Sequence, residues 1–395
     1  MDTRQRSSSP GTERRADIDW LRMVGLAGVF LVHAAEPFNP WDEWHITFER
    51  RSWLLGELVV FFAPWVMPLF MFLAGGSACI ALGRRTNRAY VRERALRLLL
   101  PFVAGVLLLV SPQVYLERRL DGQFEGSFFA FFPHFFDGLY PSGNLSWHHL
   151  WFLAYLFVFA LVTLPLFRAF ERGLGRSWLD RAARLSERPG GLLLWALPLL
   201  LGRLPPVPIA RLRLPPYDFP NHALLFPMFV AGFLFTRHPG LAQALRRHWA
   251  TAVPVALGLS VGMLALTWNG DPYQDLPVGR TWTYWLFGFF YTLGSWAWVV
   301  VLSGVAARLA PRFARLAGEA RTIAYPFYIL HQPLIVALAY EAVTRKMPTW
   351  WAFGLITSVG FLGTLALCLA AERLSLTRLL LGLPAVRPVG RAAKR

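Results

Sequence analysis

The chain has 395 residues, of which 55% are hydrophobic and only 16% are charged, and its mean hydropathy is +0.41. Soluble domains carry about 25% charged residues. This composition therefore excludes a disordered chain, a small disulfide-stapled secreted protein and a coiled coil, and it argues against an ordinary soluble enzyme. The 32 Phe and 17 Trp residues, with many Gly and Pro, are typical of membrane-spanning helices. We predict an all-α, polytopic transmembrane helix bundle.

The net charge of +17 would also suit a nucleic-acid partner. The basic residues, however, fall in the short segments between apolar windows, where they act as topology signals. We therefore expect the lipid bilayer, and no nucleic acid, as the large partner. The two cysteines, Cys79 and Cys368, lie far apart in apolar stretches and resemble small buried hydrophobes. No zinc-ligand spacing is present, and we expect no metal.

Ten apolar windows are long enough to span a bilayer, which takes about 20 residues. They cover residues 18–36, 54–82, 96–115, 148–168, 191–209, 220–236, 250–268, 282–307, 322–343 and 350–371. The fifth and sixth windows are the weakest because prolines interrupt them. No linker divides the chain. We expect a basic arm over residues 1–17, one membrane domain over residues 18–372 and a basic tail over residues 373–395.

The orientation follows from the Lys and Arg residues in short loops, which favour the cytoplasmic side. With the N-terminus inside, most of the 40 basic residues lie on the inner side, so both termini are predicted to be cytoplasmic. A multi-pass protein of the cell (inner) membrane is the expected localisation. A cleaved signal peptide is the alternative for the first helix, but Asp17, Asp19 and Arg22 interrupt the start of its apolar run.

The first helix contains ionisable residues at membrane depth, where each needs a partner or a task. Arg22 and His33 are eleven residues apart, so they project from one helix face and lie about 16 Å apart along the axis. Asp19 stands three residues before Arg22 and can pair with it. Arg22 could instead extend to the headgroups. Small residues on this helix favour a packed polar interior.

The ninth predicted helix contains a histidine near the bilayer midplane, His331, followed by Pro333. Tyr325 and Tyr328 place two hydroxyl groups one helical turn apart on the same helix. Such a histidine is a candidate for catalysis. The structural alternative is that it caps a kinked backbone by bonding a freed carbonyl group.

Three further candidates lie toward the outer ends of their helices: Glu57, His149 and Trp151. Hydrated interfacial residues without a catalytic role are common at this depth, and this alternative is strong for all three residues. On the inner side, Arg94 and Arg97 project together at the mouth of the third helix. Their default role is a topology signal, but guanidinium groups at this place also suit a polyanionic ligand such as a nucleotide phosphate.

Together these motifs resemble the acyltransferase-3 family of integral membrane O-acyltransferases. The resemblance rests on segments that follow one another along nearly the whole chain: Asp19–Arg22 with His33 after ten intervening residues, Phe70–Gly75, Arg94–Leu98 with Pro101, His149–Leu153, Tyr325–Pro333 and Glu372–Arg373. Ala74 departs from the serine that is usual in the second segment. The segments around His33 and His149 lean toward the subgroup that adds succinyl groups to glucans.

The resemblance implies transfer of an acetyl or succinyl group from cytosolic acyl-CoA to a hydroxyl of an envelope saccharide, glucan or glycolipid. His33 would act as a general base or as a covalent acyl carrier, with Arg22, Asp19 and His331 in supporting roles. Arg94 and Arg97 would bind the phosphates of CoA near Tyr325 and Tyr328. His149, Trp151 and Glu57 would face the acceptor.

Two other functions fit a polytopic protein with intramembrane polar residues. A secondary transporter or flippase uses broken helices and midplane polar groups, but no matching pair of interrupted helices occurs in the two halves of this chain. A glycosyltransferase with a lipid-linked donor would place acidic residues in an outer loop, where Asp42, Glu43 and Glu49 lack a telling arrangement. The oligomeric state stays open.

Overall fold

A computed structural model describes residues 16–202, 219–268 and 282–383 of the chain. These residues form helices and connecting loops, and their only β feature is an isolated bridge between Leu139 and Leu145. The all-α prediction is confirmed for this part of the chain. Most of the predicted N-terminal arm, the end of the basic tail (residues 384–395) and the end of the fifth predicted span (residues 203–209) lie outside the described residues.

Eleven helices organise the structure, and three shorter ones, Phe128–Phe131, Arg176–Ser186 and Ser375–Leu380, lie in connecting segments. In chain order they are α1 (Ala16–Phe38), α2 (Trp53–Leu82), α3 (Asn87–Leu120), α4 (His148–Val162), α5 (Leu164–Glu171), α6 (Gly191–Gly202), α7 (Phe219–Arg237), α8 (Pro239–Thr267), α9 (Trp282–Leu309), α10 (Ala314–Thr344) and α11 (Thr349–Ala371).

Seven of these helices are long and apolar enough to cross a membrane: α1, α2, α3, α8, α9, α10 and α11. Helices α4 and α5 meet at an angle of 49° and together make an eighth candidate span. The fifth and sixth predicted windows correspond to α6 and α7, whose described apolar parts, Gly191–Gly202 and Leu224–Arg237, are shorter. The count of ten spans is therefore not confirmed, and the orientation of the termini stays a prediction.

The helices divide into a central and a peripheral group. About half of the apolar window is buried in α1, α2, α9 and α10, but only about a quarter in α3, α8 and α11. The peripheral helices present large apolar side chains outward, such as Leu108, Val261 and Leu362. Exposed apolar surface on this scale is compatible with a lipid environment and not with water. The polar residues of interest lie on or against the central helices.

The backbones of α2 and α7 touch each other at two glycines. A Cβ atom on Gly75 would stand 1.8 Å from the carbonyl oxygen of Phe229, and one on Gly232 would stand 1.9 Å from that of Phe72. Both distances are far below van der Waals contact, so only glycine fits either position. Small residues that let backbones approach closely are a common means of joining helices in membranes.

Three of the prolines inside the helices, Pro68, Pro101 and Pro333, each free a carbonyl oxygen four residues earlier, because proline has no N–H to donate. In each case a side chain from another helix donates to that oxygen, as buried backbone in lipid requires. The hydroxyl of Ser295 on α9 donates to the carbonyl oxygen of Pro64, which lacks its usual helical partner because of Pro68. The carbonyl oxygen of Arg97, freed by Pro101, accepts from the hydroxyl of Tyr325. The carbonyl oxygen of Ile329, freed by Pro333, accepts from the imidazole of His149.

The Phe-rich segment between α3 and α4 folds back on the end of α3. Phe131 and Phe135 are fully buried there, next to Tyr115, whereas Phe129 keeps 85% of its surface exposed. The segment is a compact cover for this end of the bundle, and Phe129 and Phe136 are its exposed rings.

Candidate functional site

Three histidines from three helices meet inside the bundle. His33 lies in the last turn of α1, His331 in the middle of α10 and His149 at the start of α4. The Nδ1 atom of His33 is 2.8 Å from the Nε2 atom of His331. The ring centroid of His149 lies 5.5 Å from that of His331 and 6.4 Å from that of His33. The structure thus brings together three residues that the sequence places in separate motifs, and we call them the histidine cluster.

The hydrogen bonds around His331 define its tautomer. Its Nδ1 atom lies 2.7 Å from the carbonyl oxygen of Tyr328 and 3.2 Å from that of Phe327, and since carbonyl oxygens only accept, this nitrogen carries the proton. The Nε2 atom of neutral His331 is then an acceptor, and His33 donates to it from Nδ1. It follows that the Nε2 atom of His33 holds a free lone pair, which is the requirement for a general base or a nucleophile.

The same reasoning applies to His149. Its Nε2 atom donates to the carbonyl oxygen of Ile329 at 3.0 Å, so its Nδ1 atom holds the lone pair. That Nδ1 atom is buried and has no hydrogen-bond partner in the structure. Buried polar atoms are rarely left unpaired unless a ligand or water completes them. The cluster thus offers two imidazole lone pairs.

A cavity of about 180 Å³ adjoins the histidine cluster. Its polar lining comes from His33, His149, Tyr291 and Tyr328, and Trp151 also borders it. The remaining lining side chains are apolar and come from α1, α2 and α7. No Lys or Arg is among the described residues that line it. Trp44, which the sequence analysis missed, stacks on the ring of His33 at 6.4 Å and shields that side of the cluster.

Arg22 and Asp19 form the local pair that their spacing predicts. The Nη1 atom of Arg22 donates to Asp19 at 3.2 Å, and its Nη2 atom donates to the hydroxyl oxygen of Ser77 on α2 at 3.0 Å. Asp19 is buried, with 5% of its surface exposed. These contacts favour the packed polar interior over an arginine that extends to the headgroups. Arg22 lies about three helical turns from His33, at the other end of α1.

Arg94 and Arg97 converge on one carboxylate, that of Glu93. The nearest nitrogen–oxygen distances are 3.7 Å for Arg94 and 3.4 Å for Arg97. The hydroxyl of Tyr325 donates to the backbone carbonyl of Arg97, and that of Tyr328 to the carbonyl of His149. Both tyrosines therefore join α10 to its neighbours, and their direct contact with a ligand stays a prediction.

Two acidic residues have partners outside the histidine cluster. Glu57 accepts a hydrogen bond from the hydroxyl of Thr267 at 2.8 Å, and it does not line the cavity. Glu36 accepts from the side-chain amide of Asn39 at 3.0 Å. The partner that orients His33 is therefore His331, and not the carboxylate three residues away that simple helix spacing offers.

The fold and the site together define an integral membrane helix bundle with a histidine-lined cavity in its interior. The family model described as "Acyltransferase domain" matches residues 15–373, and the chain belongs to this acyltransferase-3 family. The resemblance seen in the sequence motifs is thus confirmed. The protein is a membrane acyltransferase of that family.

One relative is similar along almost its whole length. Glucans biosynthesis protein C of Salmonella schwarzengrund (strain CVM19633) is 24% identical over 389 residues, which cover 95% of each chain. No solved structure matches the chain.

Proposed function

We propose that the protein transfers a short acyl group from acyl-CoA to a hydroxyl of an envelope saccharide or glycolipid, with His33 as the general base. The observation that carries this proposal is the hydrogen bond from His33 Nδ1 to His331 Nε2, which leaves the Nε2 lone pair of His33 available beside the cavity. A base held by a second buried histidine has the same arrangement as other oriented imidazole catalysts.

In the proposed step, His33 Nε2 takes the proton of the acceptor hydroxyl as its oxygen attacks the thioester carbonyl carbon. A carbon–oxygen bond forms, the carbon–sulfur bond breaks, and the departing thiolate of CoA recovers the proton from the imidazolium. The atoms and electrons of this step balance without an oxidant or reductant. His331 stabilises the positive charge on His33 during the step, because its Nε2 atom accepts from Nδ1–H. His331 is thus a positioning residue.

The proposed donor site begins at Arg94 and Arg97, whose guanidinium groups suit the phosphates of CoA. Tyr325, at the level of Arg97, and His331 are six residues apart on α10, about 9 Å along its axis. Phosphates bound near Arg97 would leave the thin pantetheine arm to follow α10 toward the histidine cluster.

The lining of the cavity supports an uncharged acyl group. A succinyl group brings a carboxylate, which costs free energy to bury without a cation, and the described lining holds neither Lys nor Arg. We therefore propose acetyl in preference to succinyl. The name of the relative from Salmonella supports a glucan as one acceptor to test.

The test is an acyl-transfer assay with purified protein in lipid nanodiscs, radiolabelled acetyl-CoA or succinyl-CoA, and an envelope glycan or glycolipid fraction. We expect free CoA and esterified acceptor to appear together, and His33→Ala to lower the rate by about 10²–10⁴-fold, the usual contribution of a general base. His134→Ala is the control, since that histidine is exposed and paired with Asp137. Full turnover by folded His33→Ala would refute the proposed role of His33. Label that remains on the denatured protein would indicate a covalent acyl carrier instead.

A further inference from the structure

A second group of ionisable side chains lies at the same end of the bundle as His33. His45 belongs to the segment between α1 and α2, Glu117 to the last turn of α3, and His148 is the first residue of α4. One potential ligand atom from each of the three lies within 4.8 Å of the other two. The Nδ1 atom of His45 is 3.2 Å from the Glu117 carboxylate, and the two imidazole centroids are 3.7 Å apart.

His148 has two properties that protein contacts leave unexplained. Its backbone φ of +38° lies in the left-handed region, which a residue with a Cβ atom rarely adopts. Its Nε2 atom is buried without a hydrogen-bond partner. Strained backbone and unpaired buried nitrogen both cost free energy, and their coincidence at one residue is typical of functional sites.

The surroundings hold these side chains in place while leaving ligand atoms available. The hydroxyl of Ser146 is 3.0 Å from His148 Nδ1, so it engages the nitrogen opposite Nε2. Arg118 lies 3.6 Å from Glu117 Oε1, which leaves Oε2 turned toward His45. The guanidinium of Arg118 is itself held by the side chain of Asn144 at 2.9 Å. Outer partners that fix the tautomer of a histidine and the orientation of a carboxylate are regular features of metal sites.

We propose that His45, Glu117 and His148 form a binding site for a divalent transition-metal ion, Zn²⁺ being the best fit. Two imidazoles and one carboxylate are ligands that zinc takes readily, with a fourth position for water. Metal–ligand distances of about 2.0–2.1 Å place tetrahedral ligand atoms about 3.4 Å apart. The three ligand atoms therefore need to move together by little more than about an ångström.

No metal is predicted from the sequence, because these three residues are not closely spaced along the chain. The three residues come from three separate segments, and only the fold brings them together. A metal here joins the α1–α2 segment, the end of α3 and the start of α4. It fixes His148, and through the next peptide unit it places His149, which donates to Ile329 of α10. The ion has a structural role beside the histidine cluster.

The experiment uses full-length protein in detergent, with any affinity histidine tag removed, incubated with Zn²⁺ and then desalted. We expect about one zinc per chain by inductively coupled plasma mass spectrometry. With Co²⁺ in place of zinc, we expect the intense visible absorption of a four-coordinate ion, which requires no variant. Since even outer-shell substitutions lower metal affinity by about 10–100-fold, His148→Ala and Glu117→Gln are expected to lower it at least that much.

His134→Ala is the matched control, because His134 lies on the same side of the bundle and is more than half exposed. It is expected to bind zinc like the unchanged protein. Gel filtration of each variant checks that it remains folded. Substoichiometric zinc in the unchanged protein, no four-coordinate cobalt spectrum, or equal loss in His134→Ala would overturn the proposal. The readouts contain no acyl-transfer step, so their outcome is independent of the proposed function.

Discussion

Replacing His331 by phenylalanine is the sharpest test of how the histidine cluster operates. The residue is fully buried and does not line the cavity, so the substitution keeps a ring of similar size and leaves the bordering side chains unchanged. It removes the Nε2 acceptor that lies 2.8 Å from His33 Nδ1. His33 then loses both the partner that sets its tautomer and the acceptor that stabilises its protonated form.

The size of the effect follows from the kind of hydrogen bond that is lost. A hydrogen bond to a charged group contributes about 1.5–3 kcal/mol, and this bond becomes charged only when His33 is protonated in the transition state. Since about 1.36 kcal/mol corresponds to tenfold in rate, kcat is expected to fall by about 10–160-fold. KM for acyl-CoA is expected to stay unchanged, because an interaction realised only in the transition state does not affect substrate binding.

Steady-state kinetics of His331→Phe and His331→Gln measure this separation of kcat from KM. The side-chain oxygen of glutamine can accept from His33 Nδ1, so the glutamine variant is expected to recover part of the lost rate. Thermal unfolding of both variants in detergent checks folding. If folded His331→Phe retains full kcat, or if only KM changes, the role assigned to His331 is wrong.

Two further predictions concern the donor site and the packing of the bundle. Replacing both Arg94 and Arg97 by alanine is expected to weaken acyl-CoA binding by about 1.5–3 kcal/mol for each charged hydrogen bond lost, measured by isothermal titration calorimetry. Arg315→Ala, which removes an exposed arginine, is the control. Unchanged affinity in the double variant would mean that the two arginines act only as topology signals. Gly75→Ala is expected to lower stability by at least about 3 kcal/mol in thermal unfolding, because its Cβ would meet backbone of α7 at 1.8 Å. Gly354→Ala, with open space around its Cβ, is the control, and equal melting of the two variants would contradict this account.

Much of the fold was predictable because bilayer-spanning helices leave a strong pattern in hydropathy. The two weakest windows correspond to α6 and α7, which border residues outside the described part of the chain. The prolines of the other helices also indicate where neighbouring helices form hydrogen bonds. Pro68, Pro101 and Pro333 each indicate a backbone carbonyl that needs a hydrogen-bond donor. Only the fold shows that the donors are Ser295, Tyr325 and His149.

The individual residues of the candidate site could be predicted from the sequence, but their arrangement in space could not. His33, His149 and His331 each stood out as polar groups in apolar surroundings, yet no spacing in the sequence indicates that two of them share a hydrogen bond. Glu93 was missed because its role depends on three arginines that close around it, Arg85, Arg94 and Arg97. The group of His45, Glu117 and His148 was missed because long-range contacts leave no local pattern.

The direct backbone contact between α2 and α7 bears on how a substrate can enter the helix bundle. These two helices supply one side of the cavity, and at Gly75 and Gly232 they have no side chains between them that could swing aside. At the level of these two glycines, α2 and α7 are therefore expected to move as one unit. If the proposed acceptor approaches from the lipid, it is therefore expected to reach His33 between other helices than this closely joined pair.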